Sequence, residues 1–579
     1  MFIIFDRGSP KSSRSIALLP AKKAFNPKGA LEAEAREPGR PACAALQNPK
    51  SLMTLLNRRT LVTGLLASSA LTTHLASAAS QAGQPAPAAS PAPQPKFDFD
   101  DVLRRAKDLA SAPFDAAIAP LPEALNKLDF DAWRDIRFRP DKAFLNSPGS
   151  QFRLQLFHLG HLYKRPVTIN TIRDGIPTPI PFTTSLFDYG RTKPEKPIPV
   201  NLGFAGFRLH YPLNSPRVYD EVIAFLGASY FRFLGRDQHY GISARALAIG
   251  AGGEEEEFPF FREFWIDSPE VNADRITIFG LLDSPSTTGA YRFDLFPGVE
   301  TAMEVSTVLY PRKAGVRFGL APLTSMFFLG ENDRRFNEDF RPELHDSDGL
   351  LIHSATGEWI WRPLRNPTKP VISSFFDRDV RGFGLLQRDR EFDHYQDLDL
   401  AYERRPSYFV EPRESWGEGH VDLVELPTEH EANDNIVAFF TPKDSPEANK
   451  PFSYAYRLVS SLNLTRLSPN GRALNTYQTT AAALGSAEAP APGTRRFIID
   501  FTGGDLPFYA TDPGSVEVVP STSQGKIVRS FLVPNPHVRG FRAAFDVQLD
   551  GGQSADLRAF LRRGSQALTE TWTYPWRPD

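Results

Sequence analysis

Cysteine is almost absent: the 579-residue chain holds one, Cys43. Beyond residue 78 there is none, so disulfides and thiolate catalysis are excluded from everything downstream. Nucleotide signatures are missing as well. No G-x-x-x-x-G-K-[S/T] occurs, and no G-x-G-x-x-G follows a strand pattern. No G-x-S-x-G elbow appears. Charge of one sign is lacking: the net charge is −2, without the basic footprint that nucleic acid requires. After residue 78 no apolar run reaches about 18 residues, so no membrane span is expected. Long helical periodicity is scarce, in keeping with 51 prolines and 40 glycines.

What is present begins with an export signal. Arg58-Arg59 directly precede an apolar, small-residue run from Leu61 to Ala76, which closes in Ala76-Ser77-Ala78. Paired arginines, a short mild apolar run and an A-x-A site, in that order, read as a twin-arginine signal peptide over 53–78. Residues 1–52 are basic, proline-containing and aperiodic, and Met53 is the natural start. We therefore expect 1–52 to be an extension upstream of the true start. Residues 79–96 include QAGQPAPAASPAPQP, a Pro/Ala linker that should be extended and solvated.

From Phe97 the chain reads as globular. DDVLRRAKDLASA places Val102, Leu103, Ala106 and Leu109 on one helical face. From Phe152 the pattern turns to short strands: FRLQLFHLG, AGFRLHYPL, ASYFRFLG, RITIFGLLD, YRFDLFPG, HVDLVELP and NIVAFFTP, separated by Gly, Pro, Asp or Asn. Few crossover helices are available for a parallel sheet, so this stretch is expected to be a large all-β sandwich or barrel. A polar, proline-rich segment, TPKDSPEANKP, suggests a division after residue 443. About seven further strand candidates over 444–579 fit an immunoglobulin-like sandwich lacking the cysteine pair.

Candidate chemistry rests on carboxylates and aromatics. His158 and His161 would face opposite sides of a strand and are expected to be structural. Asp346-Ser347-Asp348-Gly349 resembles the start of a calcium loop but lacks its later ligands. No metal or cofactor is therefore expected. The stretch 330–362 carries Asp346, Asp348, Trp359, Trp361 and Arg362. The stretch 387–412 adds Tyr395 and Asp397, and beyond it come Glu414, Trp416 and Asn433-Asp434-Asn435. Acids, aromatic faces and arginine clamps are what sugar clefts are made of. The same residues also read as solvated loops with surface ion pairs, and composition alone leaves both open.

The wording of these segments goes further. PLTSMFFLGEN, FRPELHDSDGL, GEWIWRPL, GFGLLQRDR, SWGEGHVDLVELPT and EANDNIVAFFTP resemble the periplasmic glucan biosynthesis proteins, the MdoG or OpgG/OpgD family. So do VNLGFAGFRLHYPLN and GAYRFDLFPG upstream. The twin-arginine signal looks like the D-type branch. The resemblance implies a galactose-mutarotase-like β-sandwich over 97–443 that binds glucan, followed by the immunoglobulin-like domain over 444–579. It implies a periplasmic role in making osmoregulated glucans with β-1,2-linked backbones. It further implies an inverting endo-β-1,2-glucanase, with Asp434 of Asn-Asp-Asn as general acid and Asp346 as general base. The resemblance implies that this base acts at a distance, through water and a substrate hydroxyl. The substrate-binding residues expected around them are Asp348, Trp359, Trp361, Arg362, Tyr395, Asp397, Glu414 and Trp416. The alternative is a non-catalytic glucan-binding protein that assists an inner-membrane glucan synthase.

Overall fold

The computed structural model describes residues 96–192, 197–253, 255–334, 338–463, 467–482 and 490–578. The segments expected to be an upstream extension (1–52), a signal peptide (53–78) and most of a linker (79–96) lie outside the described residues. Alternation builds the strands. In Thr301–Pro311, Met303, Val305 and Leu309 are buried on one face while Glu304, Ser306 and Val308 are only partly covered. Ile436–Pro442 is buried almost throughout. Its Ile436, Ala438 and Phe440 face the main core, and Val437 and Phe439 pack on Ala248 and Ala251 on the other side. A strand covered on both faces reads as a continuous apolar run, as this one does.

Two sheets carry most of the chain. A ten-stranded sheet runs from Arg153–Phe157 through Gly206–Ser215, Val218–Leu226, Tyr230–Phe233 and Ser243–Arg245. It continues through Phe318–Ser325, Ile436–Pro442 and Glu418–Glu425 to Val371–Arg378. A fifteen-stranded sheet includes Thr168–Arg173, Phe260–Asp267, Ile276–Asp283, Thr287–Phe296, Thr301–Pro311 and Phe452–Ser461. The largest core draws side chains from both, for example Phe225 and Leu423 from the first and Phe293 and Leu458 from the second. The protein is thus an all-β sandwich. The amphipathic helix forms as Phe99–Ser111, opened by a capping box between Asp98 and Asp101. It buries Val102 and Ala106 against Trp265, Phe279 and Leu281 on the far face of the long sheet.

At its other end the long sheet continues into the C-terminal region. Trp359–Pro363 pairs in parallel with Thr571–Trp576, which is followed by Ala555–Arg563 and Glu517–Thr522. A separate four-stranded sheet of Arg472–Thr480, Thr494–Thr502, Gly540–Gln548 and Lys526–Asn535 faces these strands. Phe497, Ile499, Phe545, Leu557, Leu561 and Trp572 lie in the core between them. The expected division after residue 443 needs adjustment. Phe452–Ser461 pairs with Thr301–Pro311 and with Ser407–Pro412, and its Tyr454, Tyr456 and Leu458 fill the main core. The proline-rich segment is therefore a turn within the sandwich, and we infer that the two parts divide between Ser461 and Arg472. Among the described residues no helix is long and apolar enough to cross a membrane.

Candidate active site

Arg232 and Tyr230 lie on Tyr230–Phe233, where Phe231 and Phe233 point into the core and the alternate residues point outward. Ser243 of the neighbouring strand accepts from Arg232 Nε at 2.6 Å and fixes the guanidinium. The loop before Ile436–Pro442 brings Asp434 onto the same outer face, with its Oδ2 3.9 Å from Arg232 Nη2. Asn435 anchors that loop. Its Oδ1 accepts from the Phe327 amide at 2.8 Å, and its Nδ2 donates to the carbonyls of Phe327 and Leu426, each at 3.0 Å. Asn433 Nδ2 donates to Thr428 Oγ1 at 3.3 Å. Asp434 itself, its side chain only 11% exposed, makes no hydrogen bond among the described residues.

Arg405 pairs with Asp346 within electrostatic reach of Asp434. Its guanidinium pairs with the fully buried Asp346 carboxylate and stacks 3.7 Å above the Tyr402 ring. Burial, then the repulsion of Arg232, pushes the Arg405 pKa down, while Glu431 and Asp434 favour its charge. Asp346 Oδ2 is buried without a partner among the described residues. Tyr402 donates its hydroxyl to Glu431 at 2.9 Å. Arg341 ties Glu431 (3.0 Å), Asp397 (2.9 Å) and Asp339 (2.8 Å) together. Those carboxylates, Asp339 first, hold Arg341 firmly charged. Asp434, Asp346 and Asp397 thus share one network of alternating carboxylates and guanidiniums.

Beneath it lies a buried cluster. His345 has both ring nitrogens on hydrogen-bond partners: Nδ1 2.8 Å from Gln387 Oε1 and Nε2 2.9 Å from Glu343. The Gln387 amide donates to the His345 carbonyl, so its Oε1 is left to accept, and the ring is an imidazolium with two donors. Burial opposes that charge. Glu343, with Asp348 and Glu331, outweighs it, and the pKa is pushed up to about 9. Asp348 Oδ2 accepts from the amides of Arg388 and Asp389 at 2.9 and 3.0 Å, and burial raises its pKa. Asp348 therefore supports the site from behind rather than facing a ligand. Tyr395, fully buried and receiving the Gln387 amide at 2.8 Å, does the same.

Several side chains expected to contact sugar are packed or paired elsewhere. Trp359 stacks on His353 with centroids 4.0 Å apart, and Trp361 lies under Arg388 at 3.5 Å; both belong to the core shared with the C-terminal strands. Arg362, 1% exposed, is spent on Glu425 at 2.7 Å. Trp416 packs on Phe440 and Tyr454 at the rim of the main core. It shares a turn with the exposed Glu414 at the start of Glu418–Glu425, whereas Asp434 follows the end of that strand. At about 3.3 Å per residue the two ends lie roughly 23 Å apart. Glu414 and Trp416 are therefore outside the Asp434 cluster. Arg232, Arg405, Glu431 and Tyr402 went unselected in the sequence, and ERRPSY gives no sign that Arg405 turns inward while Arg404 stays half-exposed.

His158 is structural: it is buried, bonded to the Leu159 carbonyl and Tyr189, and burial lowers its pKa to about 4. Metal-capable atoms of Glu343, Asp389 and His394 lie within 4.8 Å of one another. Glu343 is bound to His345, and Asp389 to His394 at 2.5 Å, so these atoms already have partners.

An all-β sandwich with a carboxylate–guanidinium cluster on the outer face of one sheet defines a protein equipped to hold a polyhydroxylated ligand. The chain belongs to the periplasmic glucan biosynthesis protein family, MdoG, whose model matches residues 97–576. It is 42% identical over 494 residues to the probable glucans biosynthesis protein D of Shewanella oneidensis, covering 85% of this chain and 90% of that one. It is 44% identical to the glucans biosynthesis protein G of Ralstonia nicotianae, covering 83% and 95%. It is 43% identical to the glucans biosynthesis protein D of Xanthomonas campestris, covering 84% and 91%. Proteins of this family are periplasmic. Among solved structures, a galactose mutarotase related enzyme from Lactobacillus acidophilus overlaps 45% of the chain and 91% of its own, at a TM-score of 0.19 and 11% identity. That overlap is too weak to carry an argument.

Proposed function

We propose that the protein is an inverting endo-β-1,2-glucanase that trims the backbone of periplasmic glucans, exported by the twin-arginine route through Arg58-Arg59. The carrying observation is the contrast between its two principal carboxyls. Asp434 lies at the outer face of the sheet, nearly buried, 3.9 Å from Arg232 and without a hydrogen bond among the described residues. Asp346 is fully buried against Arg405. A general acid must present its proton to the glycosidic oxygen, and of these two carboxyls Asp434 is the one with exposed surface to do so. A carboxylate nucleophile must touch the anomeric carbon, and Asp346 has no exposed surface with which to do it. Retention through Asp346 is thereby disfavoured. Inversion requires only that the second carboxylate drain a proton from the attacking water. Asp346 would do this at a distance, through water and a substrate hydroxyl. Arg405, Arg341 and Glu431 would orient sugar hydroxyls beside it.

The test is product analysis after incubating the purified mature protein with linear β-1,2-glucan, with Asp434→Asn in parallel. Shortened glucan from the wild type alone supports the reading. One observation favours a second reading: the ion pair that occupies Asp346. A non-catalytic glucan-binding protein serving an inner-membrane synthase would bind the same glucan and leave its length unchanged.

A further inference from the structure

A cavity of about 120 Å³ lies away from the Asp434 cluster, where the sandwich meets the C-terminal sheet. Leu351, Leu386 and Leu467 give it apolar walls, Ser468 and Asn470 add polar ones, and Gly503-Gly504 close it. Gly504 has φ +53° and sits against the Asn470-Gly471 backbone, where a side chain would collide with the Gly471 amide. The volume exceeds the roughly 30 Å³ that one water occupies in the liquid several times over.

Two guanidiniums line this space, and they differ in state. Arg388 is committed. Glu570 holds it at 2.5 and 3.0 Å, the Ala473 carbonyl at 2.7 Å, and Trp361 lies beneath it. Its Nε nevertheless remains buried and without a partner, in a side chain only 3% exposed. Arg472, at the start of Arg472–Thr480, has no hydrogen-bond or ion-pair partner among the described residues. Burial, then the adjacent Arg388, works against its charge. Glu570 and Asp348 favour its charge from nearby, but neither pairs with it. Glu570 is taken bidentately by Arg388, and Asp348 Oδ2 accepts two backbone amides. A partly buried cation without a partner, beside a second cation on the wall of the same cavity, calls for an anion.

We propose that this cavity is an oxyanion site that binds a free small phosphate- or carboxylate-bearing solute on Arg472, beside the guanidinium of Arg388. The site stands apart from the hydrolytic reading, and its test reads binding alone.

The experiment is calorimetric titration of the full-length mature protein with inorganic phosphate, at ionic strength held constant with chloride. Saturable binding is expected in the wild type and in Arg217→Gln, an exposed control on the ten-stranded sheet. In Arg472→Gln the affinity should fall about tenfold or more, the usual scale for losing a charge-assisted hydrogen bond. Thermal unfolding supplies a second readout: phosphate should raise the wild-type midpoint and leave that of Arg472→Gln unmoved. Absence of saturable heat overturns the proposal. So does equal affinity in Arg472→Gln and wild type, which would mean non-specific attraction to surface cations.

Discussion

At the residue scale, neighbours in sequence perform different work. Asn435 is consumed by three hydrogen bonds to Phe327 and Leu426, while Asp434 beside it is left free. Asp434→Asn keeps size and polarity and removes the proton. Its activity on β-1,2-glucan should fall ~10²–10⁴-fold, the usual worth of general acid assistance, with the urea midpoint little changed. Full activity would mean another acid, with Asp397 the next candidate in the cluster. Arg405→Met should behave oppositely. It strands the buried Asp346 charge, and breaking such a pair costs about 3–5 kcal/mol, so urea denaturation should show a large loss of stability. Trp359→Ala and Trp361→Ala should lower stability by about 3–5 kcal/mol as core truncations. Glucan affinity of the folded fraction should be unchanged; weakened binding with full stability would restore them as sugar platforms.

At the scale of elements, the hairpin carrying His345 predicts a pH response. Glu343, Gln387, Asp348, Glu331, Phe327 and Tyr395 surround the ring. Its folded pKa of about 9 exceeds the unfolded value near 6.5. The stability it contributes is therefore complete below about 6.5 and lost as pH rises through about 9. Glu331, raised by burial and then by Glu343, acts in the same direction from its ordinary value upward. Urea midpoints should decline across this range and decline less steeply in His345→Gln; a flat wild-type profile would contradict the assignment. Strand existence was legible because alternation is local, as in Thr301–Pro311, and the Asn-Asp-Asn segment marked a turn entering the apolar run IVAFF. The fate of Trp359 and Trp361 was not. Their strand looks like others, but its second face is covered by the four-stranded sheet, through Phe497, Ile499 and Phe545, which comes much later in the chain. Arg232 and Arg405 escaped for the same reason: only the fold brings them to Asp434. Glu414 and Trp416 lie at the other end of a strand from Asp434, because proximity in sequence says nothing about which end of a strand a turn occupies.

At the scale of the molecule, the long sheet continues into the C-terminal region, so the two parts share a core through Trp359, Trp361, Phe497 and Trp572. A chain ending at Ser461 should expose that core and aggregate, as sedimentation would show; a stable monomer would mean the parts are independent. Export is a property of the whole precursor. Lysine at both Arg58 and Arg59 should retain it in the cytoplasm, and normal periplasmic accumulation would count against the twin-arginine route. The central claim concerns the stereochemistry of cleavage, and time-resolved proton NMR of linear β-1,2-glucan with the purified mature protein reads it directly. The account predicts that the α-anomer of the new reducing end appears first and then mutarotates. First appearance of the β-anomer, or no new reducing ends at all, would contradict it.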